Sequence, residues 1–60
     1  MAYEELFNIF YGRAYLGLEP SPDQITRARQ VVWRMSNDEW HEWIEYRQFR
    51  LDSIRSHATR

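Results

Sequence analysis

The sequence predicts one all-α domain built from three helices, and three observations support that prediction. Apolar residues recur at helical spacing in three separate stretches of the chain. Two of those stretches follow a serine that stands three residues before a glutamine or a glutamate, the pattern of a capping box. The chain has 60 residues, which is enough for one small domain. We place the helices at about residues 3–16, 22–35 and 37–56, in a single domain over 1–60.

The first helix is predicted from a line of apolar residues spaced at about 100° per residue. Its expected core face consists of Tyr3, Phe7, Phe10, Ala14 and Leu18, with Leu6 and Tyr11 beside it. Gly17 stands where a helix is often ended by a glycine in the left-handed conformation. Gly12 lies inside the helix, and either a close helix crossing or simple tolerance accounts for it.

The second and third helices each begin at a predicted capping box. Ser21 and Gln24 bracket the start of the second helix, with Pro22 at its first position. Its core face is expected to consist of Ile25, Ala28, Val32 and Met35. Ser36 and Glu39 bracket the start of the third helix, so almost no linker remains and the corner is tight.

Composition limits the function classes. Aromatic residues make up 17% of the chain and can fill a core of this size, while the absence of cysteine excludes disulfides and thiolate metal sites. No apolar run reaches the length of a membrane span, and Glu4 and Glu5 make the N-terminus unlike a signal peptide. We therefore expect a soluble, cytoplasmic protein without a membrane partner.

The charge pattern gives an expectation about origin. The formal net charge is −1, and all eight basic residues are arginine. Arginine without lysine is typical of a GC-rich genome, and a tiny chain from such a genome suits a phage or mobile-element product acting in a host cytoplasm. Arginine also suits interfaces better than lysine, because its planar guanidinium stacks and forms paired hydrogen bonds.

Enzyme chemistry is not expected. Asp38, His41, Glu42 and Glu45 share one side of the third helix at metal-ligand spacing, but a bundle metal site needs such residues from several helices. That side is predicted to be solvated. No glycine-rich phosphate loop is present, and neither histidine has a nucleophile partner. We predict no catalytic residue, no metal, no cofactor and no small-molecule substrate.

A nucleic-acid interaction is the alternative function. Clustered cations bind phosphates, and the predicted contacts are Arg27, Arg29, Arg34 and Arg55. The pattern does not fit a helix-turn-helix motif well, because the corner at residues 35–36 has no glycine and the following helix begins with acids. The negative net charge also counts against it. The alternative hypothesis remains a small DNA-binding accessory protein.

The third helix carries an aromatic at every third position: Trp40, Trp43, Tyr46 and Phe49. Because each step of three residues turns about 60° backwards, these rings wind through about 180°. Trp40 and Trp43 are expected in the core with Ile44, Leu51 and Ile54. Phe49 lies roughly opposite Trp40, with Tyr46 between them, so both are expected to face a second surface.

A similar split on the second helix places Trp33 outside. Trp33 is about 160° from Val31, so it projects outward beside Arg29 if Val31 faces the core. Exposed aromatic and arginine side chains anchor protein interfaces. The leading hypothesis is a non-enzymatic regulatory factor that binds another protein, or itself as a homodimer. A minor virion component is a third hypothesis. The predicted partner-binding residues are Tyr46, Phe49, Trp33, Arg29 and Arg50.

Overall fold

The computed structural model describes residues 1–58, which form three α-helices: α1 (Tyr3–Tyr15), α2 (Pro22–Trp33) and α3 (Asn37–Ala58). No strand occurs within these described residues, so the predicted all-α class and the helix order are confirmed. The molecule is flattened, with extents of 38 × 27 × 12 Å. No helix within residues 1–58 combines the length and hydropathy needed to cross a membrane.

A glycine ends α1 and lets the chain turn back. The Leu16 and Leu18 N–H groups both donate to the Gly12 carbonyl oxygen, at 2.8 and 3.1 Å. Gly17 lies between them with φ +68°, in the left-handed region that favours glycine. The predicted C-terminal glycine is therefore confirmed. A Cβ at Gly12 would lie 3.1 Å from two Leu18 atoms, so this glycine makes room for the following loop rather than for a helix crossing.

Both predicted capping boxes are present. Ser21 Oγ accepts from the Gln24 N–H at 3.2 Å, and Gln24 Oε1 accepts from the Ser21 N–H at 2.8 Å. Ser36 and Glu39 make the same reciprocal pair, with both hydrogen bonds at 3.2 Å. Because the second box starts immediately after α2, only residues 34–36 connect α2 to α3. The tight corner is thus confirmed.

The core is small and centred on α1, which packs against both α2 and α3. Its buried apolar side chains, within residues 1–57, are Leu6, Phe7, Ala28 and Trp43. The predicted α2 face is confirmed for buried Ala28 and the half-buried Ile25 and Val32, whereas Met35 is half-buried but lies beyond the end of α2, in the connection to α3. This leaves many other apolar side chains only partly covered.

The predicted core face of α1 is partly wrong. Phe10, Ala14 and Leu18 are exposed, whereas Leu6 and Phe7 are completely buried. The physical reason is that α1 packs against two other helices, so its buried side must be wide. That side is centred between Leu6 and Phe7, which lie about 100° apart around the helix.

The prediction that Trp40 is a core residue is wrong, since its side chain is 42% exposed. Trp43 is buried as predicted, because α1 lies over that side of α3. The Trp43 ring is 6.2 Å from the Tyr3 ring and 6.3 Å from the Phe10 ring. Trp40 lies about 60° away around α3, at the edge of the side that α1 covers.

Candidate protein-binding surface

Trp33 is the most exposed large apolar side chain among the described residues, at 90%. Its position follows from the rotation of α2, which directs Ala28 and Val32 toward the core. Trp33 is the last residue of α2 and lies about 140° around the helix from Ala28. The outward position predicted for Trp33 is confirmed.

Trp33 lines an open groove of about 270 Å³ together with Arg29, Gln30 and Arg34. Arg29 and Gln30 lie four and three residues before Trp33, so helical spacing brings them to the same side. All of these side chains are exposed. We name Trp33, Arg29 and Arg34 the α2 patch. Its two guanidinium groups and one indole offer stacking, cation–π contacts and paired hydrogen bonds to carboxylates.

Phe49 forms a second exposed aromatic patch, on α3. Its side chain is 69% exposed, so the predicted outward position of Phe49 is confirmed, although Trp40 opposite it is not a core residue. Glu45 precedes it by four residues and Asp52 follows it by three, so both carboxylates flank the ring. Asp52 Oδ1 accepts a hydrogen bond from Gln48 Nε2 at 2.9 Å. We name Phe49, Glu45 and Asp52 the α3 patch; it is apolar at its centre and anionic at its edges.

Tyr46 does not face a second surface, so that part of the prediction is wrong. Its ring lies 6.0 Å from the Tyr3 ring, 6.5 Å from the Phe7 ring and 6.4 Å from the Trp43 ring. The reason is that α1 runs along this side of α3 and places two of its aromatic rings there. Tyr46 is half-buried and belongs with the core cluster.

Arg50 is likewise engaged within the molecule. Its guanidinium carbon lies 4.7 Å from the centre of the Phe7 ring and 5.9 Å from that of Tyr46. One guanidinium nitrogen donates to the Tyr46 hydroxyl at 2.9 Å. Arg50 is half-buried and covers the aromatic core from the solvent side. Of the five predicted partner-binding residues, Trp33, Phe49 and Arg29 are thus the exposed ones.

The four arginines predicted to contact nucleic acid do not share one surface. Arg29 and Arg34 flank Trp33, but Arg27 lines a different groove, between α1 and α2. The side chains of Glu5 and Asp23 line that second groove as well. Arg55 is exposed near the end of α3, on a helix that packs against α1. Arg27 is therefore separated from the two arginines that lie beside Trp33.

The carboxylates of α3 are solvated, as predicted from their side of the helix. Asp38, His41, Glu42 and Glu45 are all exposed, and residues 1–58 contain no cluster of three or more potential ligands able to hold a metal ion. Glu42 has a structural contact instead: its Oε2 accepts from the Tyr3 hydroxyl at 2.8 Å. This hydrogen bond raises the pKa of Tyr3 above its ordinary value of 10.0, with a smaller contribution from desolvation.

No protein-family model, no curated protein and no solved structure matches this chain. The geometry of the two patches is therefore what bears on function. Sequence reasoning overlooked Glu45 and Asp52 as neighbours of Phe49, and assigned Arg34 to nucleic acid alone. The spacing of four and three residues from Phe49 was the signal that would have found both carboxylates, whereas Arg34 directly follows Trp33 and has no such spacing.

Proposed function

We propose that this chain is a small, non-enzymatic regulatory factor that binds protein through exposed aromatic and arginine side chains. A phage or mobile element is the genetic context we propose for it, acting in a host cytoplasm. The observation that carries the proposal is the exposure of Trp33 and Phe49, at 90% and 69%, in a molecule with so small a core. Tryptophan, phenylalanine and arginine are enriched at protein interfaces, and tryptophan and arginine are enriched at their energetic centres.

The energy available from covering these rings is substantial. An aromatic side chain has roughly 150–250 Å² to bury, so Trp33 leaves about 200 Å² and Phe49 about 140 Å² in water. Removing that area from water is worth about 8 kcal/mol at about 25 cal/mol per Å². Association costs about 4–15 kcal/mol in lost freedom, so the two rings supply a large share of what a complex requires.

Site-specific photocrosslinking in the native cells tests the proposal. A benzophenone side chain replaces Trp33 or Phe49 in turn, and a matched variant carries it at Arg13, an exposed position on α1. We expect protein adducts at both patch positions, several-fold above the yield at Arg13. Equal yields at all three positions, or no protein adduct at all, would overturn the proposal.

The alternative proposal is a DNA-binding accessory role, and one observation favours it. Arg29 and Arg34 flank an exposed Trp33, an arrangement that suits stacking on a base beside a phosphate. This role requires affinity that falls steeply with salt and weakens in Arg29→Ala. Nuclease-sensitive adducts from position 33 would favour it, and no shift of any duplex at low salt would exclude it.

A further inference from the structure

The α2 and α3 patches carry opposite charge around similar centres. Trp33 stands between two guanidinium groups, those of Arg29 and Arg34. Phe49 stands between two carboxylates at its neighbouring helical positions, and both of these side chains are exposed. Each patch therefore has the chemistry that would recognise the other.

We propose that the partner of this surface is a second copy of the chain. The α2 patch of one protomer covers the α3 patch of the second copy, and a twofold axis repeats the contact, so each dimer contains it twice. This inference rests on the proposed function and names its partner. Arginine stacks over Phe49 and forms paired hydrogen bonds with the flanking carboxylates, while Trp33 is removed from water.

The solvent-accessible area of the chain exceeds that of an average monomer by about the area of one interface. A folded monomer of 7.4 kDa is expected to expose about 4,200 Å². This chain exposes 4935 Å², about 700 Å² more. A stable complex buries about 800 Å² per partner, so the surplus is close to what one protomer contributes to a dimer.

Charge also selects how the two copies meet. Two α2 patches in contact would bring four guanidinium groups together, and two α3 patches would bring four carboxylates together. Like charges facing each other across an interface weaken association strongly, whereas opposite charges fix the register. The reciprocal α2–α3 pairing satisfies both patches at once.

Charge reversal tests the pairing. One variant, Arg29→Glu with Arg34→Glu, makes both patches acidic; another, Glu45→Arg with Asp52→Arg, makes both basic. We expect light scattering to give a dimer for the unaltered chain and a monomer for each variant alone, with dimerisation weakened on the order of 100-fold or more. An equimolar mixture of the two variants is expected to recover the dimer mass.

A matched variant separates patch pairing from attraction between net charges. Glu4→Arg with Glu19→Arg changes the net charge equally at exposed positions outside both patches. Because both of its patches are intact, this variant is expected to dimerise alone as the unaltered chain does. In its mixture with the acidic variant we expect no heterodimer, and heterodimerisation as strong as in the first mixture would overturn the proposal. Circular dichroism checks that each variant is folded, and Trp33→Ala, which alters no charge, is expected to be monomeric too.

The outcomes also separate this inference from the proposed function. If the unaltered chain stayed monomeric at about 1 mM, its dissociation constant for self-association would exceed that concentration. That result would overturn the second-copy proposal. If the crosslinker at Trp33 then trapped a different protein, the proposed function would stand without it. Open polymers instead of dimers would also overturn it, because the proposed contact closes on itself.

Discussion

Arg50 is expected to contribute more to stability than any surface arginine, although it lies on the solvent side of the core. Its guanidinium carbon stands 4.7 Å above the buried Phe7 ring, and it donates to the Tyr46 hydroxyl at 2.9 Å. A partly desolvated cation–π contact is worth about 1–2 kcal/mol. The hydrogen bond adds about 1 kcal/mol net. Arg50→Ala should therefore lower the free energy of unfolding by about 2–3 kcal/mol.

That loss is large for a chain of this size. A 60-residue domain has a free energy of unfolding of about 3–9 kcal/mol, so the variant loses at least about a fifth of it. The melting temperature should fall by about 10–20 °C, at about 4–8 °C for each kcal/mol. Urea unfolding followed by circular dichroism measures the loss directly.

Two further variants show which contact matters. Tyr46→Phe removes only the hydroxyl, so its coupling with Arg50→Ala in a double-mutant cycle isolates the hydrogen bond. Arg13→Ala is the matched control: Arg13 is exposed on α1, and its removal should cost less than about 0.5 kcal/mol. If Arg50→Ala cost no more than Arg13→Ala, Arg50 would be a solvated side chain and its packing over Phe7 would be refuted.

Three other changes give measurable results. Tyr46→Ala should cost about 2–4 kcal/mol because its ring packs in the core cluster, whereas Phe49→Ala should cost less than about 1 kcal/mol; equal losses in urea unfolding would contradict this packing. Gly17→Ala should cost about 1–2 kcal/mol because φ is +68°, and an unchanged thermal midpoint would show that the left-handed turn is not needed. The hydrogen bond to Glu42 raises the pKa of Tyr3 above 10.0. The contribution of this bond to the stability of the fold is therefore complete below about pH 10 and is lost as the pH rises through the raised pKa. Tyr3→Phe should remove this loss of stability at alkaline pH. If the unaltered chain and Tyr3→Phe had the same melting temperature at every pH from about 8 to about 11, the predicted role of the Tyr3 hydroxyl would be contradicted.

Features set by neighbouring residues were predictable from the sequence. The capping boxes at Ser21 and Ser36 and the glycine stop at Gly17 each depend on hydrogen bonds or dihedral angles within a few residues. Such local rules hold whatever the helices pack against, which is why the helix bounds were right to within two residues. The outward position of Trp33 was predicted only on the condition that Val31 faces the core, and the structure packs Val31 against the core cluster.

Features set by helix rotation were not predictable. The aromatics of α3 wind through about 180°, so the sequence leaves open which part of that arc meets a neighbour. The structure places α1 against the Trp43 and Tyr46 side rather than the Trp40 side. That rotation moves Tyr46 into the core cluster and leaves Trp40 partly exposed. For the candidate surface, the reasoning therefore identified Phe49 and Trp33 but misplaced Tyr46.

The same rotation explains why Phe49 stays uncovered. Phe49 lies about 60° beyond Tyr46, on the side of α3 that turns away from α1 and carries Glu45 and Asp52. Within residues 1–58, α1 is the helix that packs most closely on α3, and the 69% exposure of Phe49 shows that none of the described helices covers that side. A helix that covered Phe49 would also have to satisfy the two carboxylates beside it, which calls for cations next to an apolar centre. The α2 patch has that composition, and the proposed dimer would bring it onto Phe49 of the second copy.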